Sequence, residues 1–106
     1  MVQVLRADDL SPGESRRVVI GTHPVALFHT EGRLFAIDDT CTHQDASLSE
    51  GWLEGCLIEC PLHASFFDLR TGEVTSPPAK HPVRTYHVEV RDGMIEVDLD
   101  RQGVTA

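Results

Sequence analysis

A chain of 106 residues at 41% hydrophobic content has the length of one domain and enough apolar material for a real core. Its formal net charge of −8 opposes a nucleic-acid role, because phosphate binding calls for clustered Lys and Arg. No apolar run reaches membrane-spanning length, Met1-Val2-Gln3-Val4-Leu5-Arg6 lacks the apolar stretch of a signal peptide, and 3 cysteines is the wrong parity for a secreted disulfide scaffold. The expectation is a soluble, cytoplasmic, monomeric protein that spans residues 1–106 as one domain and binds neither nucleic acid nor membrane. Its acidity suits either simple solubility or steering toward a partner with basic patches.

In chain order, short alternating segments separated by turn residues argue for an all-β domain. A first strand is predicted over Val2 to Leu5, and Ser11-Pro12-Gly13-Glu14 reads as a loop. Arg17 to Ile20 forms a second strand, and Gly21-Thr22-His23-Pro24 turns the chain into Val25 to Thr30. Glu31-Gly32 is a tight hairpin turn into Leu34 to Ile37. Ala46-Ser47-Leu48-Ser49 suits a single helical turn. Trp52-Leu53 and Cys56 to Glu59 form a small hairpin across Glu54-Gly55, and Phe66 to Leu69 leads to a turn at Arg70-Thr71-Gly72-Glu73. Ser76-Pro77-Pro78-Ala79 is too rich in proline to pair inside a sheet. Tyr86, Val88 and Val90 alternate with His87, Glu89 and Arg91, and Asp92-Gly93 turns the chain into Ile95, Val97 and Leu99. Arg101 to Ala106 reads as a frayed tail. His23, His29, His81 and His87 read as surface residues, and Cys56 as a small, partly buried hydrophobe.

The chemistry concentrates between Cys41 and His63. Cys41-Thr42-His43 is followed by sixteen residues and then by Cys60-Pro61-Leu62-His63. Cys41 and His43 are two apart, so in an extended segment their side chains leave one face. Cys60 and His63 are three apart, with Pro61 stiffening the turn between them. A thiolate stays close to its backbone and an imidazole reaches further out. Two loops with one of each can hold a two-metal object, sulfurs on the inner metal and imidazoles on the outer. A structural zinc ion is the alternative for a Cys2His2 set, although zinc fingers usually group like ligands together. A Cys41–Cys60 disulfide would leave both histidines unexplained.

Cys-x-His, sixteen residues, Cys-x-x-His resembles the Rieske motif, in which two cysteines hold one iron of a [2Fe-2S] cluster and two histidines hold the other. Glu50-Gly51-Trp52-Leu53-Glu54-Gly55, Ile58-Glu59-Cys60-Pro61-Leu62-His63, Phe67-Asp68, Arg70-Thr71-Gly72 and Pro77-Pro78-Ala79 extend the likeness to the Rieske-type ferredoxins of bacterial aromatic-ring dioxygenases. The resemblance implies a base of antiparallel strands, packed as a sandwich or small barrel, with a cluster-binding subdomain of about residues 40–69 inserted. It implies one [2Fe-2S] cluster on Cys41, His43, Cys60 and His63, and a proline loop lying over it. The implied role is one-electron transfer from a flavin-dependent NAD(P)H reductase to a terminal oxygenase, with no substrate chemistry in this chain. The small component of an assimilatory nitrite reductase shares the fold and is the neighbouring alternative. Ala64 and Gln44 stand where the family often has glycine. The high-potential members of the family add a disulfide between the loops and hydroxyl donors to the cluster. Ala46 and Leu62 occupy the places of those extra cysteines here, and Phe67 that of the tyrosine donor. Ser65 matches the serine donor. The expectation is a low potential.

Overall fold

The computed structural model describes residues 1–41, 46–61, 65–75 and 81–103. Among the described residues nine strands form: β1 (Val2–Arg6), β2 (Ser15–Ile20), β3 (His23–Thr30), β4 (Arg33–Asp38), β5 (Trp52–Glu54), β6 (Leu57–Glu59), β7 (Phe66–Asp68), β8 (Thr85–Arg91) and β9 (Met94–Asp98). Six of them make one antiparallel sheet in the order β1-β9-β8-β4-β3-β2, whose outer strands β1 and β2 approach each other, so the sheet curls toward a barrel. A second sheet, β5-β6-β7, arises from the chain between β4 and β8. This is the all-β class and the barrel-like base with an inserted smaller unit that the sequence predicts.

The tight turns explain the hairpins. Glu31 and Gly32 have φ of 53° and 70°, and Asp92 and Gly93 have 53° and 77°. Two successive residues with positive φ make a turn whose twist matches that of the flanking strands. The turn before β3 is narrower than predicted. Ile20 pairs with His23, so Gly21-Thr22 alone reverses the chain and His23 and Pro24 belong to β3. Pro24 is tolerated because it precedes the stretch paired with β4, and its carbonyl accepts the Asp39 N–H at 3.2 Å.

β3 and β4 are buried on both faces, which accounts for the unbroken run Val25-Ala26-Leu27-Phe28. With side chains alternating along a strand, Val25, Leu27 and Ala36 join Leu10, Tyr86, Ile95 and Val97 in the core of the curled sheet. Ala26, Phe28, Phe35 and Ile37 point the other way, into a second core shared with the small sheet. Leu10 follows a short 3₁₀ turn, Ala7–Asp9, that the sequence did not announce. His29 is half-buried rather than on the surface, and its Nδ1–H donates to the Leu10 carbonyl at 2.9 Å, tying that segment to β3. The tail is also tied down as far as Gly103. The His87 N–H donates to the Arg101 carbonyl at 3.0 Å, and the Gly103 N–H to Thr85 Oγ1 at 3.2 Å.

His23 is engaged as well. Its Nε2 lies 2.7 Å from Asp38 Oδ1 and 2.8 Å from the Tyr86 hydroxyl, which itself donates to Asp38. Burial, then the bond to the Asp38 carboxylate, pushes the Tyr86 phenol well above its ordinary value. A raised folded value means that the unfolded chain ionises first. The stability is therefore complete below about pH 10 and lost as pH rises beyond it. Tyr86→Phe should flatten that alkaline loss while lowering stability at neutral pH, a pattern that thermal melts at stepped pH would reveal. Among the described residues no helix is long and apolar enough to cross a membrane.

Candidate metal centre

Two loops are each closed by pairing at their necks. The first leaves β4 and is closed where Thr40 bridges Ser47 and the Cys41 N–H donates to the Ala46 carbonyl at 2.9 Å. The second joins β6 to β7, closed where Glu59 pairs with Phe66 and the Cys60 N–H donates to the Ser65 carbonyl at 2.8 Å. Each loop thus starts with a cysteine at its neck, bonded to the residue five positions on. His43 and His63 follow two and three residues beyond the necks, in the parts of the loops that lie outside the described residues. Leu62 and Pro77-Pro78-Ala79 also lie outside them.

The cysteines are buried, Cys41 at 3% exposure and Cys60 at 0%, in one apolar layer with Phe28, Phe35, Ile37, Leu48, Ile58, Phe67 and Leu69. The layer draws residues from both sheets, and both thiols belong to it. Both are thiols rather than a disulfide. Two thiolates in so dry a place would be costly without a cation to neutralise them. A cluster iron would supply that charge, and two buried sulfurs, each followed in the sequence by a histidine two or three residues on, are a donor set that suits a [2Fe-2S] group.

The surrounding elements hold the necks in place. Asp39, 2% exposed, accepts Ser47 Oγ–H at 2.6 Å, the Ser49 N–H at 3.0 Å and Arg17 Nε–H at 3.2 Å. Its carbonyl takes the Leu48 N–H at 2.6 Å. Ser15 Oγ on β2 donates to the Ser49 carbonyl at 2.6 Å, so the base sheet grips the same segment. The helical turn predicted over Ala46–Ser49 forms instead at Leu48–Glu50, because Ala46 and Ser47 are used to close the loop. Gly51 then passes so close to β6 that a Cβ would sit 2.0 Å from the Glu59 carbonyl oxygen, one residue before Cys60. Only glycine leaves room there.

The small hairpin is shifted by one residue from its predicted turn. Glu54 pairs with Leu57, so Gly55, at φ 58°, and Cys56 make the turn. Cys56 is half-buried against the shared core, as expected for a small hydrophobe, and its carbonyl accepts the Leu69 N–H at 2.8 Å. On the exit side, Phe67 bridges Val74 and the Thr75 N–H donates to the Phe66 carbonyl at 2.8 Å. Arg70 clamps Asp68 through two side-chain bonds at 3.1 and 3.0 Å and holds its carboxyl below the usual range. The sequence reading missed Asp39, Ser47 and Arg17. The only hint was an acidic pair, Asp38-Asp39, at the mouth of the first loop.

With this geometry in hand, comparison with known proteins is direct. The model of the Rieske [2Fe-2S] domain matches residues 1–87. A 3-phenylpropionate/cinnamic acid dioxygenase ferredoxin subunit of Photorhabdus laumondii is 44% identical over 100 residues, 93% of this chain and 94% of the relative. The ferredoxin component of a biphenyl 2,3-dioxygenase of Rhodococcus jostii is 40% identical over 105 residues, 99% of this chain and 97% of its own length. Among solved structures, a complex of reduced oxygenase and oxidized ferredoxin in carbazole 1,9a-dioxygenase includes a chain with TM-score 0.85 and 40% identity, covering 99% of this chain and 94% of that one. The chain belongs to the Rieske [2Fe-2S] family, among the ferredoxin components of aromatic-ring dioxygenase systems.

Proposed function

We propose that this protein is the one-electron carrier of a multi-component ring-hydroxylating dioxygenase, placed between a flavin-dependent NAD(P)H reductase and a terminal oxygenase. The observation that carries the reading is the pair of matched loops, each with a buried cysteine at its neck and a histidine further along. Cys41 and Cys60 would hold the inner iron and His43 and His63 the outer one. When bound, the cluster supplies a one-electron couple with all its protein ligand positions filled. The chain therefore offers no open metal position to a substrate, unlike a catalytic metal site. Its residues shield and aim. The apolar layer of Ile58, Phe67 and Leu48 encloses the two sulfurs, and by the family resemblance electrons would pass to partners through His43 and His63.

The potential tests this reading. Phe67 is fully buried and has no hydroxyl to donate, and Ala46 cannot take part in a disulfide. Ser65 remains as a hydroxyl donor candidate. The midpoint should lie near the low end of the Rieske range, about −150 mV, where a reduced flavin can fill it. A midpoint well above zero in protein-film voltammetry would contradict the assignment to a dioxygenase carrier.

A further inference from the structure

Asp39 is the most enclosed carboxylate among the described residues, with 3% of its side chain exposed. It lies two residues before Cys41, and it binds Ser47, the residue bridged to Thr40 across the neck of the first loop. Three donors converge on its two oxygens, from Ser47, Ser49 and Arg17. The charge is thus fixed in place where the Cys41 thiol enters the core. Its cationic partner among the described residues, Arg17, is placed differently. The Arg17 side chain is 51% exposed on β2, so solvent and salt screen its charge far more than that of Asp39. Among the described residues, the better buried of the two charges at the neck is the negative one.

Resting on the reading that Cys41 ligates a [2Fe-2S] cluster, we propose that Asp39 is a positioning residue with a second role, setting the midpoint potential. Its three hydrogen bonds fix the neck, and its buried negative charge opposes the arrival of an electron nearby. Coulomb energy between like charges grows as the effective dielectric falls, so a carboxylate held in the protein acts more strongly than one in solvent. The effect has a sign that structural damage does not share. Removing the negative charge should make reduction easier. Removing its positive partner should make reduction harder. A general loosening of the loop would move both variants the same way.

The experiment is potentiometric reduction of the wild type, Asp39→Asn and Arg17→Gln, followed by visible absorption. Iron and sulfide content and the EPR spectrum of the reduced protein establish that the cluster is intact. Asp39→Asn should favour the reduced form by about tenfold, a rise of about 59 mV for one electron. Arg17→Gln should shift it down by less, and the shift should shrink with added salt. An unchanged potential in Asp39→Asn with the cluster intact, or shifts of equal sign in the two variants, overturns the proposal. If Asp39→Asn loses its cluster, Arg17→Gln decides alone, and a rise or no change overturns it. Absence of iron from the wild type would sink the cluster reading itself, so the two failures are distinguishable.

Discussion

Replacing any one of Cys41, His43, Cys60 or His63 by alanine should abolish or cripple cluster binding, whereas Cys56→Ser should leave it intact. The asymmetry among the cysteines follows from where each one sits. Cys41 and Cys60 occupy the necks of the two loops and are buried together, while Cys56 is half-buried in the turn between β5 and β6. If they hold the inner iron, loss of one thiolate would leave that iron short of a ligand and the other sulfur buried without full compensation. Loss of one imidazole would likewise leave the second iron short of a ligand. Iron analysis and visible absorption of the purified variants check this. A colourless Cys56→Ser protein beside a red-brown Cys41→Ser protein would overturn the ligand assignment.

Phe67→Ala should cost about 3–5 kcal/mol, the range for truncating a large buried aromatic residue. Phe67 is fully buried, pairs with Ile58 on β6 and bridges Val74. It lies in the layer that contains both cysteines, so a cavity there loosens the seam between the two sheets. The variant should unfold at lower denaturant and lose its colour at a lower temperature than the wild type. Val90→Ala is the matching control. Val90 is 49% exposed at the far end of β8, and its truncation should change stability little. Equal losses in the two variants would mean that the seam is not where the stability lies.

Much of this was legible in the chain. The Asp92-Gly93 and Glu31-Gly32 turns announce their hairpins because so few dipeptides tolerate two successive positive φ values. The Cys-His boxes announce a metal because those residue types at that spacing have few other uses. The rest depends on contacts between distant segments. Nothing local distinguishes Asp39, which is buried under Ser47 and Arg17, from Asp38, which binds His23 and Tyr86. Leu10 is fully buried in the barrel core because a 3₁₀ turn and the His29 bond place it there, not because of any pattern around it. The tail looked frayed because Arg101-Gln102-Gly103 has no apolar period, yet β8 supplies bonding partners for two of those residues. The turn at Gly55-Cys56 was displaced by one residue because Glu54-Gly55 has the better turn composition, while the register was settled by packing Leu53 and Ile58 into the seam.

The metal and sulfide content of the purified protein shows directly whether it holds a [2Fe-2S] cluster. Two irons and two acid-labile sulfides per chain are expected, as a [2Fe-2S] group requires, lost together when either neck cysteine is replaced. A colourless protein holding zinc, or iron without labile sulfide, would contradict it.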